Sequence, residues 1–262
     1  VLDRIVATKR EEVAALAPAA AELRDRCRDL PRTRGFAAAL RHPERVQLLA
    51  EVKRRSPSAG AIQPDADAAS IAMEYEAGGA AAISVLTDGE FFAGSLADLE
   101  SVRGSVGVPL LRKDFIVDPL QLWEARAAGA DGVLLIVRIL RDSELRDLRE
   151  QAEDLGMDAL VEAHDEGEIE RAIGCGAGVL GVNNRDLATF RTDLDFALRV
   201  ARRVPPELIL VAESGIRDAA DVDRLGAVGV DGILVGESLM RQPDVRLAAR
   251  RLAGRRKSER RG

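Results

Sequence analysis

The stretch AAGADGVLLIV, residues 127–137, reads as the end of a helix, a tight glycine turn and a short apolar strand. Three other stretches share this grammar: AGGAAAISVL at 77–86, GCGAGVLGV at 174–182 and AVGVDGILVG at 227–236. Glycine just past a helix end takes the left-handed conformation without a Cβ clash, so it marks the boundary. The strands that follow are apolar without polar alternation, as expected when a parallel sheet is covered on both faces.

Working outward from these stretches gives eight apolar runs: Val46–Val52, Ala81–Leu86, Pro109–Arg112, Gly132–Val137, Ala159–Glu162, Val179–Val182, Leu208–Ala212 and Gly232–Val235. Their ends recur roughly every 25 residues, the length of one strand–loop–helix–loop unit. Helical signals fill the gaps. Ser95 and Asp98 form a capping box at the head of SLADLESVRG. Asp118 caps DPLQLWEARAAGA, Pro119 takes its first turn and Gly129 ends it. DSELRDLREQAEDLG is amphipathic and stops at Gly156. Eight such units in 262 residues predict an α/β fold, a (βα)8 TIM barrel. A doubly wound sheet is the competitor, but no GxGxxG lies between a strand and a helix to support it.

Residues 1–45 precede the first strand. LDRIVATKREEVAALA places Leu2, Ile5, Val6, Val13 and Leu16 near one helical face, which predicts an N-terminal helical extension packed on the barrel. The expected organisation is a single domain over 1–262, with the extension at 1–45 and the barrel at 46–253. The basic tail GRRKSERRG, 254–262, is expected to be solvated and frayed.

Composition narrows the function. A net charge of −6 with 3% aromatic residues lacks the basic balance and stacking rings of a nucleic-acid binder. Cys27 and Cys175 lie outside any CxxC spacing and suggest neither a disulfide framework nor a zinc site, so a reducing cytoplasm is expected. No run approaches the about 18 apolar residues of a membrane span, and the first residues lack a signal-peptide core. A small-molecule enzyme is expected, as a monomer or alternatively a homodimer, with no nucleic-acid or membrane partner.

Polar residues concentrate where a barrel places its chemistry, at the C-terminal ends of the strands. They are Glu51 and Lys53, Lys113 and Asp114, Arg138, Glu162 and His164, Asn183 and Arg185, and Glu213 and Ser214. Unpaired buried charge is costly, so these groups should be paired or aimed at a ligand. Structural alternatives stay open at this point. Lys113 could pair with Asp114, Glu213 with Lys53, and Glu162 could cap a helix, although Asp165 suits that task better. His164 reads as structural and His42 as surface. Arg54 and Arg55 read as loop charge that draws an anion toward the mouth. VAESGI (211–216) and LVGESLM (234–240) put Gly215 and Gly236 at strand ends before helices, a geometry that suits a phosphate, although the Glu237 carboxylate would repel one.

In order along the chain, AEVKRRSPSAG, SVLTDGEFFAGS, PLLRKDFIVDP, LLIV, ALVEAH, GVNNRDL, VAESGI and VGESLM resemble the indole-3-glycerol phosphate synthases of tryptophan biosynthesis. That resemblance implies a TIM barrel with a helical extension over its active end. It implies closure of the indole ring of 1-(2-carboxyphenylamino)-1-deoxyribulose 5-phosphate with loss of carbon dioxide and water, without metal or organic cofactor. It also implies Lys113 as general acid for closure, Glu162 in the acid–base chemistry of dehydration, and Lys53, partnered by Glu51, as a substrate contact that helps proton transfer. Asn183 and Glu213 would shape the polar floor. Ser56, Ser214, Gly215, Gly236 and Glu237 would fall at substrate and phosphate positions, with Arg185 close by. Phe92 and Phe115, on rim loops, would sandwich the aromatic ring or else belong to the core. Lys53 and Arg138 would lower the Lys113 pKa, while Glu51 and Glu162 would raise it. Two other readings compete. A phosphoribosylanthranilate isomerase would carry a cysteine at a strand end, where neither cysteine lies. An inactive or engineered phospho-ligand barrel would have replaced Lys113 or Glu162, and both are present.

Overall fold

The computed structural model describes residues 2–186 and 191–260. Among them eight strands form a closed parallel barrel: β1 (Gln47–Val52), β2 (Ala82–Leu86), β3 (Leu110–Lys113), β4 (Gly132–Ile136), β5 (Asp158–Ala163), β6 (Val179–Asn183), β7 (Ile209–Glu213) and β8 (Gly232–Val235). Every strand end lies within one residue of its predicted place. The sheet closes where β8 pairs with β1, Gln47 opposite Gly232 and Ala50 opposite Val235. That pairing removes the edges a doubly wound sheet would keep. The glycine turns behave as the repeat requires, with φ of 95° at Gly79, 92° at Gly129, 84° at Gly176 and 84° at Gly229.

Alternation along each strand separates two cores. Leu49, Leu111, Leu134, Leu160, Val179, Val211 and Leu234 point into the barrel, whereas Leu48, Leu110, Val133 and Val161 face the surrounding helices. The helix Phe36–Leu40 closes the barrel's floor, with Phe36 and Leu40 fully buried against the inward set. Its first turn is held by Asp158, whose Oδ2 accepts from the Ala37 N–H at 2.8 Å. The repeat also explains two buried aspartates. Asp131 before β4 accepts the Leu110 N–H at 2.8 Å, and Asp231 before β8 accepts the Leu210 N–H at 2.9 Å. Each thus ties the base of its own strand to the strand before it.

The extension begins with the helix Leu2–Leu16, followed by Ala20–Arg28, which packs on the helix Pro119–Ala127. On the first helix Ile5 is buried and Leu2, Val6, Val13 and Leu16 are half-buried, as the apolar stripe predicts. Lys9 is buried in the same stripe.

The tail differs from the expectation of a frayed end. Over its described residues it is bound down: Arg255 Nε lies 2.6 Å from Asp223, and Lys257 Nζ lies 2.7 Å from Asp231. Arg260 reaches Asp231 at 3.2 Å. Asp231 is needed at the barrel base, and its buried charge is offset by these tail cations. Arg261 and Gly262, and Leu187 of the GVNNRDL motif, lie outside the described residues.

Candidate active site

The inward alternation that is apolar low in the barrel turns polar at the strand ends. Leu49 is followed by Glu51 and Lys53, Leu111 by Lys113, Leu160 by Glu162 and Val211 by Glu213, each two residues on and therefore on the same face. On β2, β4 and β8 the series ends in Leu86, Ile136 and Leu234. Strands neighbour one another in chain order around the barrel, so charged ends on β1, β3, β5 and β7 alternate with apolar ends on β2, β4 and β8. They surround a cavity of about 570 Å³, within the usual range for small-molecule sites.

The fourteen residues that the resemblance places at catalytic or binding positions all line this cavity, whereas Arg138 and His164 do not. The charged floor comprises Glu51, Lys53, Lys113, Glu162, Asn183 and Glu213. Phe92 and Phe115 pack against each other, ring centroids 5.9 Å apart with a 39° tilt, too close for a third ring to lie between them as a sandwich needs. Neither ring is buried, so neither is simply core. Ser56 sits in the loop after β1, where Arg55–Ser56 pairs with Gly60–Ala61 to form a small antiparallel flap. Arg185 reaches this flap, its Nη1 lying 3.3 Å from Ser58 Oγ. Ser214, Gly215, Gly236 and Glu237, at the ends of β7 and β8, line the wall next to the flap. The Glu237 carboxylate is met by Arg241 at 3.0 Å, which offsets the charge that would repel an anion. Ser214 has φ of 64° and Gly215 of 78°, a left-handed pair that turns the chain sharply at the end of β7.

The ion pairs differ from the simple rim pairs weighed on sequence. Lys113 Nζ lies 2.6 Å from Glu162 and 2.8 Å from Glu213, not against Asp114. Lys53 pairs with Glu51 at 2.7 Å and not with Glu213. Asp114 points outward to Arg112 at 3.1 Å and Lys9 at 3.0 Å, because successive strand residues alternate faces. Asp165, rather than Glu162, caps the helix Glu166–Gly174. Arg54 is held by Asp98 through two bonds of 2.7 Å, and Arg55 donates to the Glu90 carbonyl. The pair of arginines therefore braces loops instead of serving as loose charge at the mouth.

Close approach of Glu213 depends on a glycine. A Cβ at Gly181 on β6 would fall 2.2 Å from Glu213 Oε1, so a larger residue would push the carboxyl off Lys113.

Burial alone would lower the Lys113 pKa, but Glu162, Glu213 and Glu51 together outweigh it and hold the ammonium charged above lysine's ordinary range. Arg138 plays no part in lowering it, since it pairs with Glu168 at 2.6 Å and Asp165 at 3.0 Å. Burial would raise Glu162, but Lys113 and His164 outweigh it and hold that carboxylate well below its usual value. Burial pushes Glu213 up to about 8, with Lys113 opposing and Glu162 adding. Two carboxyl groups share one buried ammonium; His164 favours the charge on Glu162, so Glu213 is the one that keeps a proton. His164 sits between Glu162 at 3.2 Å and Glu168 at 3.3 Å. Burial would lower its pKa, but the two glutamates outweigh it and raise it to about 9.

This arrangement has a measurable consequence for stability. His164 rises from 6.5 to about 9 on folding, so its contribution is complete below pH 6.5 and is lost as pH climbs through 9. Glu213, raised from 4.5 to about 8, acts in the same direction over a lower window. The melting temperature should fall between pH 6.5 and 9, and His164→Asn should flatten the fall, most clearly above pH 8, where Glu213 is already more than half ionised. Scanning fluorimetry across that range checks it; an unchanged slope in the variant would contradict a charged His164.

Family comparison agrees with the ordered motifs. The family model for indole-3-glycerol phosphate synthase matches residues 2–252. The chain belongs to the indole-3-glycerol phosphate synthase family. It is 50% identical over 255 residues to the indole-3-glycerol phosphate synthase of Rhodopirellula baltica, a match covering 96% of this chain and 98% of that protein. It is also 50% identical over 244 residues to that of Desulfotalea psychrophila, covering 92% and 94% respectively. Among solved structures, the thiamine phosphate pyrophosphorylase of Pyrococcus furiosus superposes with a TM-score of 0.60 at 21% identity, over 79% of this chain and 93% of that one. That likeness shows the barrel fold alone.

Sequence reasoning missed several members of the site. Leu2 and Ile5 of the extension form part of the cavity wall. Asp88 and Lys9 stand just behind it. The readable signal for Lys9 was its place: a lysine inside an apolar helical stripe must bury its charge or leave the stripe.

Proposed function

We propose that Lys113, Glu162, Lys53 and their partners carry out the indole-3-glycerol phosphate synthase reaction of this family. The observation that carries the assignment of roles is the Lys113 ammonium, held on the cavity floor 2.6 Å from Glu162 and 2.8 Å from Glu213. The substrate is a phosphorylated small molecule, 1-(2-carboxyphenylamino)-1-deoxyribulose 5-phosphate. Its ring carbon bearing the carboxylate attacks the ribulose carbonyl. As that bond forms, the carbonyl oxygen becomes an alkoxide and takes a proton from Lys113. Carbon dioxide then leaves and returns its bonding electrons to the ring. Loss of the new hydroxyl as water completes the indole, and Glu162 is placed to move the proton that this step needs. With an ionised substrate carboxylate the overall reaction consumes one proton.

A raised Lys113 pKa suits a donor to an alkoxide, which is far more basic than an amine, and keeps the lysine protonated until that charge develops. Lys53, anchored by Glu51, faces the cavity and meets an anionic ligand. Phe92 and Phe115, packed together, offer one aromatic wall for the carboxyphenyl ring. The loops after β7 and β8 would receive the phosphate through the backbone at Gly215 and Gly236. A Cβ at Gly236 would strike Glu51 Oε1 at 2.5 Å, so a substitution there disturbs the Lys53 pair as well. Gly215→Ala is the cleaner probe, because it opposes the φ of 78° without touching the floor. It should weaken inorganic phosphate and substrate together by up to about tenfold, and leave a dephosphorylated analogue nearly unaffected. Equal loss for the analogue would remove the phosphate from this wall.

Incubation with the carboxyphenylamino substrate tests the whole reading: indole fluorescence should appear with release of carbon dioxide. The same assay after chelation tests the expectation that no metal is required, which restoration only by added metal would overturn. Among the described residues no helix is long and apolar enough to cross a membrane. With Met73 and Leu247 as its exposed large apolar side chains, we take the protein as a monomeric cytoplasmic enzyme, which light scattering would test for assembly.

A further inference from the structure

Lys9 is only 2% exposed, yet its ammonium meets three carboxylates: Glu12 at 2.7 Å, Asp88 at 2.8 Å and Asp114 at 3.0 Å. Burial alone would lower its pKa, but Asp114, Asp88 and Glu12 outweigh it and keep the charge. Glu12 is on its own helix and half open to solvent. The two aspartates are different, being fully enclosed and belonging to two separate rim loops.

Each aspartate already holds one of the cavity's aromatic residues. Asp88 Oδ1 accepts from the N–H groups of Phe91 at 2.7 Å and Phe92 at 3.2 Å, capping the short turn Gly89–Phe92. Asp114 Oδ1 accepts the Phe115 N–H at 2.8 Å, while its Oδ2 takes bonds from Thr87 at 2.5 Å and Arg112 at 3.1 Å. Among the described residues Asp88 Oδ2 has no hydrogen-bond partner, and its charge is met by Lys9. One ammonium therefore bridges the anchor of Phe92 and the anchor of Phe115. Without it, two buried anions would face each other and move apart or take up protons.

Resting on the reading of the cavity as a site for a carboxyphenyl substrate, we propose that Lys9 is a positioning residue that sets the spacing of Phe92 and Phe115, and so the fit of the substrate's aromatic ring. It acts by cross-linking Asp88 and Asp114. The N-terminal helix thereby contributes to the site twice: Leu2 and Ile5 line the cavity, and Lys9 fixes how the two rings sit in its wall.

The test compares wild type, Lys9→Met and Lys9→Met/Asp88→Asn. The double variant removes a buried charge together with its counter-ion and keeps an oxygen to cap the turn, so it guards against simple unfolding. The probes are 2-aminobenzoate for the aromatic wall and inorganic phosphate for the loops after β7 and β8. In both variants KM for the substrate and the dissociation constant of 2-aminobenzoate should rise by about tenfold. Phosphate affinity should hold and kcat should change by less than about threefold. Wild-type binding of 2-aminobenzoate in a folded variant would overturn the proposal, as would equal loss of both probes. If wild type itself binds no 2-aminobenzoate, the substrate reading fails first and takes the proposal with it.

Discussion

Lys113→Met should lower kcat by at least about 100-fold, the usual cost of a lost general acid. The substitution keeps the length of the side chain and removes the proton and the charge. Glu162 and Glu213 would then face each other as buried acids without the ammonium that sits 2.6 Å and 2.8 Å from them. Glu213 already keeps a proton, so the change falls on Glu162, which loses the ammonium that holds its pKa low; its pKa should rise and the variant should melt earlier. The rate should therefore be compared per folded molecule, at a temperature well below the transition. Substrate binding should weaken far less than turnover, because the phosphate and ring contacts lie elsewhere in the cavity. Neither carbon dioxide nor indole should form at an appreciable rate, since decarboxylation follows the bond that Lys113 assists. A folded variant with near-normal kcat would end this role for Lys113.

Glu162→Gln should slow steady-state indole formation by a similar factor of about 100, but at a different step. Glutamine keeps the shape and can still accept a bond from Lys113, yet it cannot carry a proton. Ring closure and decarboxylation should proceed in the first turnover while dehydration stalls. A rapid-quench measurement should thus find carbon dioxide released at close to the wild-type rate, with indole fluorescence lagging behind it. Simultaneous loss of both signals would place Glu162 in ring closure instead. His164 adds an internal check. With a neutral partner in place of the carboxylate 3.2 Å away, it loses part of what raises it to about 9 and should titrate at lower pH. Histidine proton resonances in a chain that contains only His42 and His164 can follow this directly.

What the sequence alone determined is whatever short-range rules govern. Glycine turns, capping residues and apolar runs act over a few positions, so eight strand ends could be placed to within one residue. The concentration of charge at those ends was equally local, because residues two apart on a strand share a face. Glu51 and Lys53 were legible as partners for that reason, and they pair at 2.7 Å. Tertiary structure decided which charges meet across the closed barrel. Lys113 joins Glu162 over 49 positions and Glu213 over 100, contacts set by the curvature of the sheet and by the space left at Gly181. Closure also gave Arg54 its partner Asp98, fastened the basic tail to Asp223 and Asp231, and brought Lys9 from the first helix to Asp88 and Asp114. The physical reason is common to all of these. A buried charge takes the partner that folding carries within a few ångströms, and chain distance has no bearing on that once the barrel closes.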